Sequence, residues 1–151
     1  MKFIADVMLG RLAKRLRLLG FDVLYDRTLD DNGVIRVSIE QERTILTRDT
    51  ALAARPLAVN HLIIRDDKAD EQVEQVLSAF PLLVPPAPLT RCSACNELLQ
   101  PISRSDARDR VPSFVYEKGW DFLHCPGCGR TYWQGTHVKR MKLLKKIKRA
   151  P

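Results

Sequence analysis

Two Cys-x₂-Cys pairs, Cys92 with Cys95 and Cys125 with Cys128, use all 4 cysteines of the 151-residue chain. Each pair sits in a knuckle, Cys92-Ser-Ala-Cys95-Asn96 and Cys125-Pro-Gly-Cys128-Gly129. Small or turn-forming residues there let the backbone fold until both sulfurs face one point. Four thiolates at about 2.3 Å complete the tetrahedral sphere of Zn²⁺ and leave no position for water, so such a site holds structure and does not catalyse. Disulfides and a redox Cys-x-x-Cys are the rival readings. Disulfides need an exported chain, and the run from Met1 to Arg11 is broken by Asp6 and Arg11, unlike a signal segment. A redox motif is single and lies near a strand–helix junction, whereas these knuckles are matched and flank a long insertion. The expectation is a zinc ribbon in a chain of the reducing cytoplasm.

Composition divides the chain. Residues 1–84 hold no cysteine, residues 85–89 form a proline-rich spacer around Pro85-Pro86-Ala87-Pro88, residues 90–135 carry the knuckles, and residues 136–151 are strongly basic. Both units are small. The ribbon needs its metal to fold, so loss of the ion is expected to unfold residues 90–135 and leave the first unit folded. No apolar stretch approaches the roughly 20 residues of a membrane helix.

The net charge of +7 is unevenly spread. Residues 1–85 hold 12 Lys/Arg against 13 Asp/Glu, residues 86–135 hold 6 against 5, and residues 136–151 hold 7 against none. In that tail Lys139, Arg140, Lys142, Lys145, Lys146, Lys148 and Arg149 interleave with Val138, Met141, Leu144 and Ile147 at helical spacing. A basic arm of this kind neutralises phosphates, which favours a nucleic-acid partner over a solvated tail or a membrane-surface helix.

The first unit alternates strand and helix. Lys2–Ala5 is apolar and ends in Asp6; Met8, Leu12, Leu16 and Leu19 mark one helical face that stops at Gly20. Further strands are predicted at residues 22–26, 44–47, 61–64 and 82–84, with helices at 34–42, 50–55 and 69–80, an α/β unit with a mostly parallel sheet. Asp6, Asp26, Asp49 and Asp66 then stand at or beyond the carboxyl ends of strands, the edge where open α/β sheets bind ligands. Gathered carboxylates of this kind suit Mg²⁺ or Mn²⁺ and the hydrolysis of phosphodiesters. The plainer reading makes Asp26, Asp30 and Asp66 helix caps or turn residues. Asp6 and Asp49 resist it more: Asp6 closes a strand with an apolar helix immediately after, and Asp49 stands in Thr47-x-Asp49, where the hydroxyl can bond neighbouring backbone and fix the carboxylate. Arg11, Arg15 and Arg17 of the first helix are either phosphate contacts or a solvated face, Arg11 being nearest to Asp6. Trp120, Phe122, Tyr132 and Trp133 serve as ribbon core or as stacking surfaces, with Phe122 and Tyr132 read as core.

Taken together, Ile4-Ala5-Asp6, the helix from Met8 to Gly20, Phe21 to Asp26 with Asp30-Asp31, Ile45-Leu-Thr-Arg-Asp49 and both knuckles resemble a PIN-like ribonuclease family, the Mut-seven C-terminal RNase domain. The resemblance covers nearly the whole chain. It implies a compact PIN-like fold followed by a four-cysteine zinc ribbon and metal-dependent phosphodiester hydrolysis. Carried over by position, Asp6, Asp31 and Asp49 are its catalytic acids and Asp67 a further ligand of Mg²⁺ or Mn²⁺. Cys92, Cys95, Cys125 and Cys128 hold zinc. RNA, expected single-stranded, would be held by Arg11, Arg48 and the tail residues Lys139, Arg140, Lys142, Lys145 and Lys146. Val7 departs from the second acid that many PIN-like relatives carry after the first. A non-catalytic RNA- or ribosome-associated adaptor is the alternative.

Overall fold

The computed structural model of the chain describes residues 1–80 and 86–135. The basic tail and the strand expected at residues 82–84 lie outside these. In the first unit β1 (Lys2–Ala5), β2 (Asp22–Leu24), β3 (Arg43–Thr47) and β4 (His61–Ile63) form one parallel sheet of order β2-β1-β3-β4. The period-two alternation of β1 sends Phe3 and Ala5 to one face and Ile4 to the other. On the first face pack α1 (Gly10–Leu18) and α4 (Ala69–Ala79) through Leu12, Leu16, Val73 and Val76. On the second, α2 (Asp31–Glu40) and α3 (Thr50–Ala53) pack Val34, Ile35 and Leu52 against Ile4 and Ile45. The helices cover both faces, as a parallel sheet requires.

The ends of these elements follow from local chemistry. A 3₁₀ turn, Val7–Leu9, leads into α1. Helix α1 closes where Gly20 takes φ 94°, with Gly20 N–H donating to Arg17 O and Phe21 N–H to Leu16 O, the paired bonds of a Schellman stop. Helix α2 begins three residues earlier than its apolar periodicity suggests, at Asp31, because the Asp30 carboxylate accepts from Gly33 N–H at 2.8 Å.

The second unit is a three-stranded antiparallel sheet of β5 (Gln100–Ile102), β6 (Phe122–His124) and β7 (Thr131–Trp133). The insertion between the knuckles folds into α5 (Arg104–Ala107), a 3₁₀ turn and α6 (Ser113–Tyr116). Ala107, Val115 and Phe122 are buried together, with Trp120 and Trp133 packed against them.

Neither the described part of the spacer, residues 86–89, nor the first knuckle stands away from the first unit. Leu89 N–H donates to Leu18 O, and a Cβ at Gly20 would lie 2.6 Å from Ala87 O, so the chain runs against the end of α1. Beyond it the first knuckle meets β2, an edge strand. Both backbone groups of Val23 there are taken by side chains: its N–H donates to Asn96 Oδ1 and its C=O accepts from Arg17 Nε. Arg17 is 3 % exposed, and its Nη1 also donates to Ser93 O and Ala94 O inside the knuckle. Asp22 accepts from Asn96 and Arg43 and faces Arg91. Burial raises the Asp22 carboxyl, but the hydrogen bonds from Arg43 and Asn96 outweigh it and hold the group below its usual value.

Candidate functional site

The two knuckles are built alike. In each, the N–H of the residue after the second cysteine returns to the first cysteine's carbonyl, Asn96 to Cys92 and Gly129 to Cys125, both at 2.9 Å. Those residues have φ of 72° and 75°, a left-handed turn that asparagine and glycine tolerate best. The four sulfurs lie within 4.8 Å of one another, with Cys92–Cys128 at 3.5 Å and Cys95–Cys125 at 3.3 Å. A tetrahedral ion with sulfurs at about 2.3 Å separates them by about 3.8 Å, so the cluster fits zinc with slight expansion. Without a cation the thiols hold their protons unequally. Burial drives Cys95 up to about 12. Burial opposes the Cys92 thiolate as well, but hydrogen bonds from the Tyr132 hydroxyl and from backbone N–H groups bring it to about 6. Positive charge at the centre relieves that conflict. Phe122 is buried in the ribbon's apolar core, as expected, whereas Tyr132, also expected there, is half-buried and turns its hydroxyl to Cys92 and Ser93 beside the sulfurs. His124 turns away to Arg110, at 3.1 Å, and His61 bonds Ala58 O.

The strand order reverses between β1 and β3, and Asp6 and Asp49 flank this switch at the carboxyl edge. Asp6 is 6 % exposed. Its Oδ1 accepts from Met8 N–H at 2.8 Å and its Oδ2 from Arg48 N–H at 3.1 Å and from the Thr47 hydroxyl. The same hydroxyl accepts from Asp49 N–H at 2.9 Å, so Thr47 ties the two aspartates to one point. Asp49 also caps α3, its Oδ1 accepting from Ala51 and Leu52 N–H. Asp31 pairs with Arg55 at 3.0 Å and Asp67 with Arg48 at 2.7 Å. Asp30 is a helix cap and Asp26 a turn residue bonded to Thr28, the plainer reading in both cases.

Among the described residues, the four cysteines are the one group of three or more His, Cys, Asp or Glu whose ligand atoms come this close. Asp6, Asp31 and Asp49 therefore share the sheet edge without forming a three-carboxylate cage. That arrangement still fits Mg²⁺, which takes one or two carboxylates and completes its sphere with water and substrate phosphate.

Beside Asp6 opens a cleft of about 470 Å³, lined by Arg11, Arg48 and Asp67 and also by Lys14, Tyr25 and Arg27. Arg15 and Arg17 do not join it: Arg15 pairs with Asp70 at 3.0 Å and Arg17 is buried under the knuckle. Lys14 and Arg27 do not stand out in the sequence, although Lys14 lies one helical turn after Arg11.

No curated protein and no solved structure matches the chain. The model of the Mut7-C RNAse domain matches residues 1–144. With its parallel sheet, its acidic edge and its four-cysteine cluster on one chain, the protein belongs to the Mut7-C RNase domain family.

Proposed function

We propose that the protein is a ribonuclease whose acidic centre is Asp6 and Asp49, assisted by Asp31, and depends on Mg²⁺ or Mn²⁺. The observation that carries this reading is the Thr47 hydroxyl, which binds the Asp6 carboxylate and the Asp49 backbone at the switch point of the sheet. A divalent ion held by these carboxylates would supply Lewis acidity for activating water and for neutralising the phosphate. The chain's own part is positioning. Asp6 is fixed by Met8, Thr47 and Arg48, Asp49 is held through Oδ1 at the start of α3, and the Arg48 side chain, paired with Asp67, lines the neighbouring cleft. Zinc in the ribbon holds structure, and the ribbon and tail hold single-stranded RNA in a reducing cytoplasm.

Asp49→Asn is the cleaner test, because asparagine caps a helix as well as aspartate. With Mn²⁺ and single-stranded RNA, Asp49→Asn and Asp6→Asn are each expected to reduce cleavage to background, Asp49→Asn with melting unchanged. Cleavage persisting in both variants would place the chemistry elsewhere. The second reading, an RNA-binding adaptor without turnover, draws on the capped and paired state of the carboxylates. It prevails if the wild type binds RNA and cleaves none in either metal.

A further inference from the structure

We propose that the cleft beside Asp6 is a subsite for one nucleotide of a single RNA strand, its phosphates held by Lys14 and Arg27 together with Arg11 and Arg48. The proposal rests on the ribonuclease reading and names the part of the substrate seated next to the acids. The charge is one-sided: four cations line the cleft against one carboxylate, Asp67, which Arg48 already pairs at 2.7 Å. Arg11, Lys14 and Arg27 are exposed and take no part in the ion pairs formed among the described residues. Cations left without carboxylates in a concave wall attract an anion that brings several charges, and a phosphodiester strand does so. At about 470 Å³ the space lies within the range of small-ligand sites, about 300–1,000 Å³, and admits one nucleotide but no duplex.

One wall is aromatic. Tyr25 donates to Val7 O at 3.1 Å and lies against Gly10, where a Cβ would come 2.7 Å from the phenol oxygen. Glycine at this position lets the ring close against α1, and a base needs such a face to stack. The cleft also reaches the acids through the backbone. Val7 and Leu9, in the turn that follows Asp6, line it, and Arg48 bonds Asp6 through its N–H while its side chain faces the cleft. A nucleotide seated there places the adjoining phosphodiester at the sheet edge.

Binding is measured without turnover, in the full chain carrying Asp49→Asn with no Mg²⁺ or Mn²⁺ added, using a short fluorescein-labelled single-stranded RNA. Lys14→Gln with Arg27→Gln is expected to weaken binding roughly tenfold and to lower the slope of log K against log salt by about 1.4, at about 0.7 for each phosphate no longer neutralised. Tyr25→Leu should weaken binding about fivefold or more and leave the slope in place. Arg36→Gln, an exposed cation of α2 on the opposite face of the sheet, is the control. A change in the double variant no larger than that of Arg36→Gln overturns the subsite, as does a duplex of the same sequence that binds more tightly and depends on Lys14 and Arg27. The two failures are distinguishable. If only the subsite is wrong, metal-dependent cleavage remains and its KM is unmoved by Lys14→Gln and Arg27→Gln. If only the ribonuclease reading is wrong, the binding signature remains and the wild type cleaves nothing.

Discussion

Thr47 shows how one hydroxyl can organise a site. It is fully buried at the end of β3, donates a hydrogen bond to the Asp6 carboxylate and accepts from the N–H of Asp49. Valine has nearly the same shape and can do neither. Thr47→Val would leave a buried carboxylate oxygen and a backbone N–H each one partner short, a loss of about 1–3 kcal/mol. The expected outcome is a lower urea midpoint with an unchanged m-value, and a kcat that falls more than KM rises, since the cations proposed to hold RNA are untouched. A stability loss with full kcat would reduce Thr47 to a structural residue. The bond from the Asp49 N–H to the Thr47 hydroxyl was legible in the sequence because strand, hydroxyl and acid are contiguous, whereas the bond to Asp6 comes from the pairing of β1 with β3. The burial of Arg17 was not. In α1 it reads as one more surface cation beside Arg11 and Arg15, and the carbonyls that desolvate and satisfy it, Ser93 and Ala94, come from a distant part of the chain.

At the scale of elements the same pattern holds. Parallel strands, both helix layers and the knuckles could be read locally, from apolar runs ending in polar residues, from caps such as Asp30, and from paired cysteines. Pairing between the ribbon and the edge of the sheet could not, because Asn96 looks like an ordinary knuckle residue. Its φ of 72° suits a turn, while its side chain closes the outer edge of β2 at Val23 and Asp22. An open edge strand is a liability that proteins cover, and here the cover is the first of two knuckles whose four cysteines could hold one metal ion. Loss of the ion is therefore expected to reach beyond residues 90–135, contrary to what separate units would show. Stripping zinc from reduced protein with a chelator should cut protection of Val23 N–H against hydrogen exchange by about tenfold or more and lower the melting temperature of the parallel sheet. Unchanged protection at Val23 would mean that the edge is held by Arg17 and the knuckle backbone without the ion.

The whole molecule separates general attraction from local grip. Residues 1–135 hold 18 Lys/Arg against 18 Asp/Glu, and the excess of +7 lies in residues 136–151. The body is thus neutral in sum and cationic only where charges gather, as in the cleft beside Asp6. A neutral body would draw RNA weakly from a distance, whereas seven cations on one segment would, on the proposed function, attract phosphates of any sequence. Deleting residues 138–151 is expected to weaken single-stranded RNA binding and to lower the salt slope by up to about 5, at about 0.7 for each phosphate the tail neutralises. The cleft and the acids remain, so cleavage at saturating RNA should keep its kcat while KM rises and becomes less sensitive to salt. Steady-state kinetics at two ionic strengths read both quantities. A fall in kcat would give the tail a part in forming the site, and an unmoved KM with an unmoved slope would return it to a solubility role.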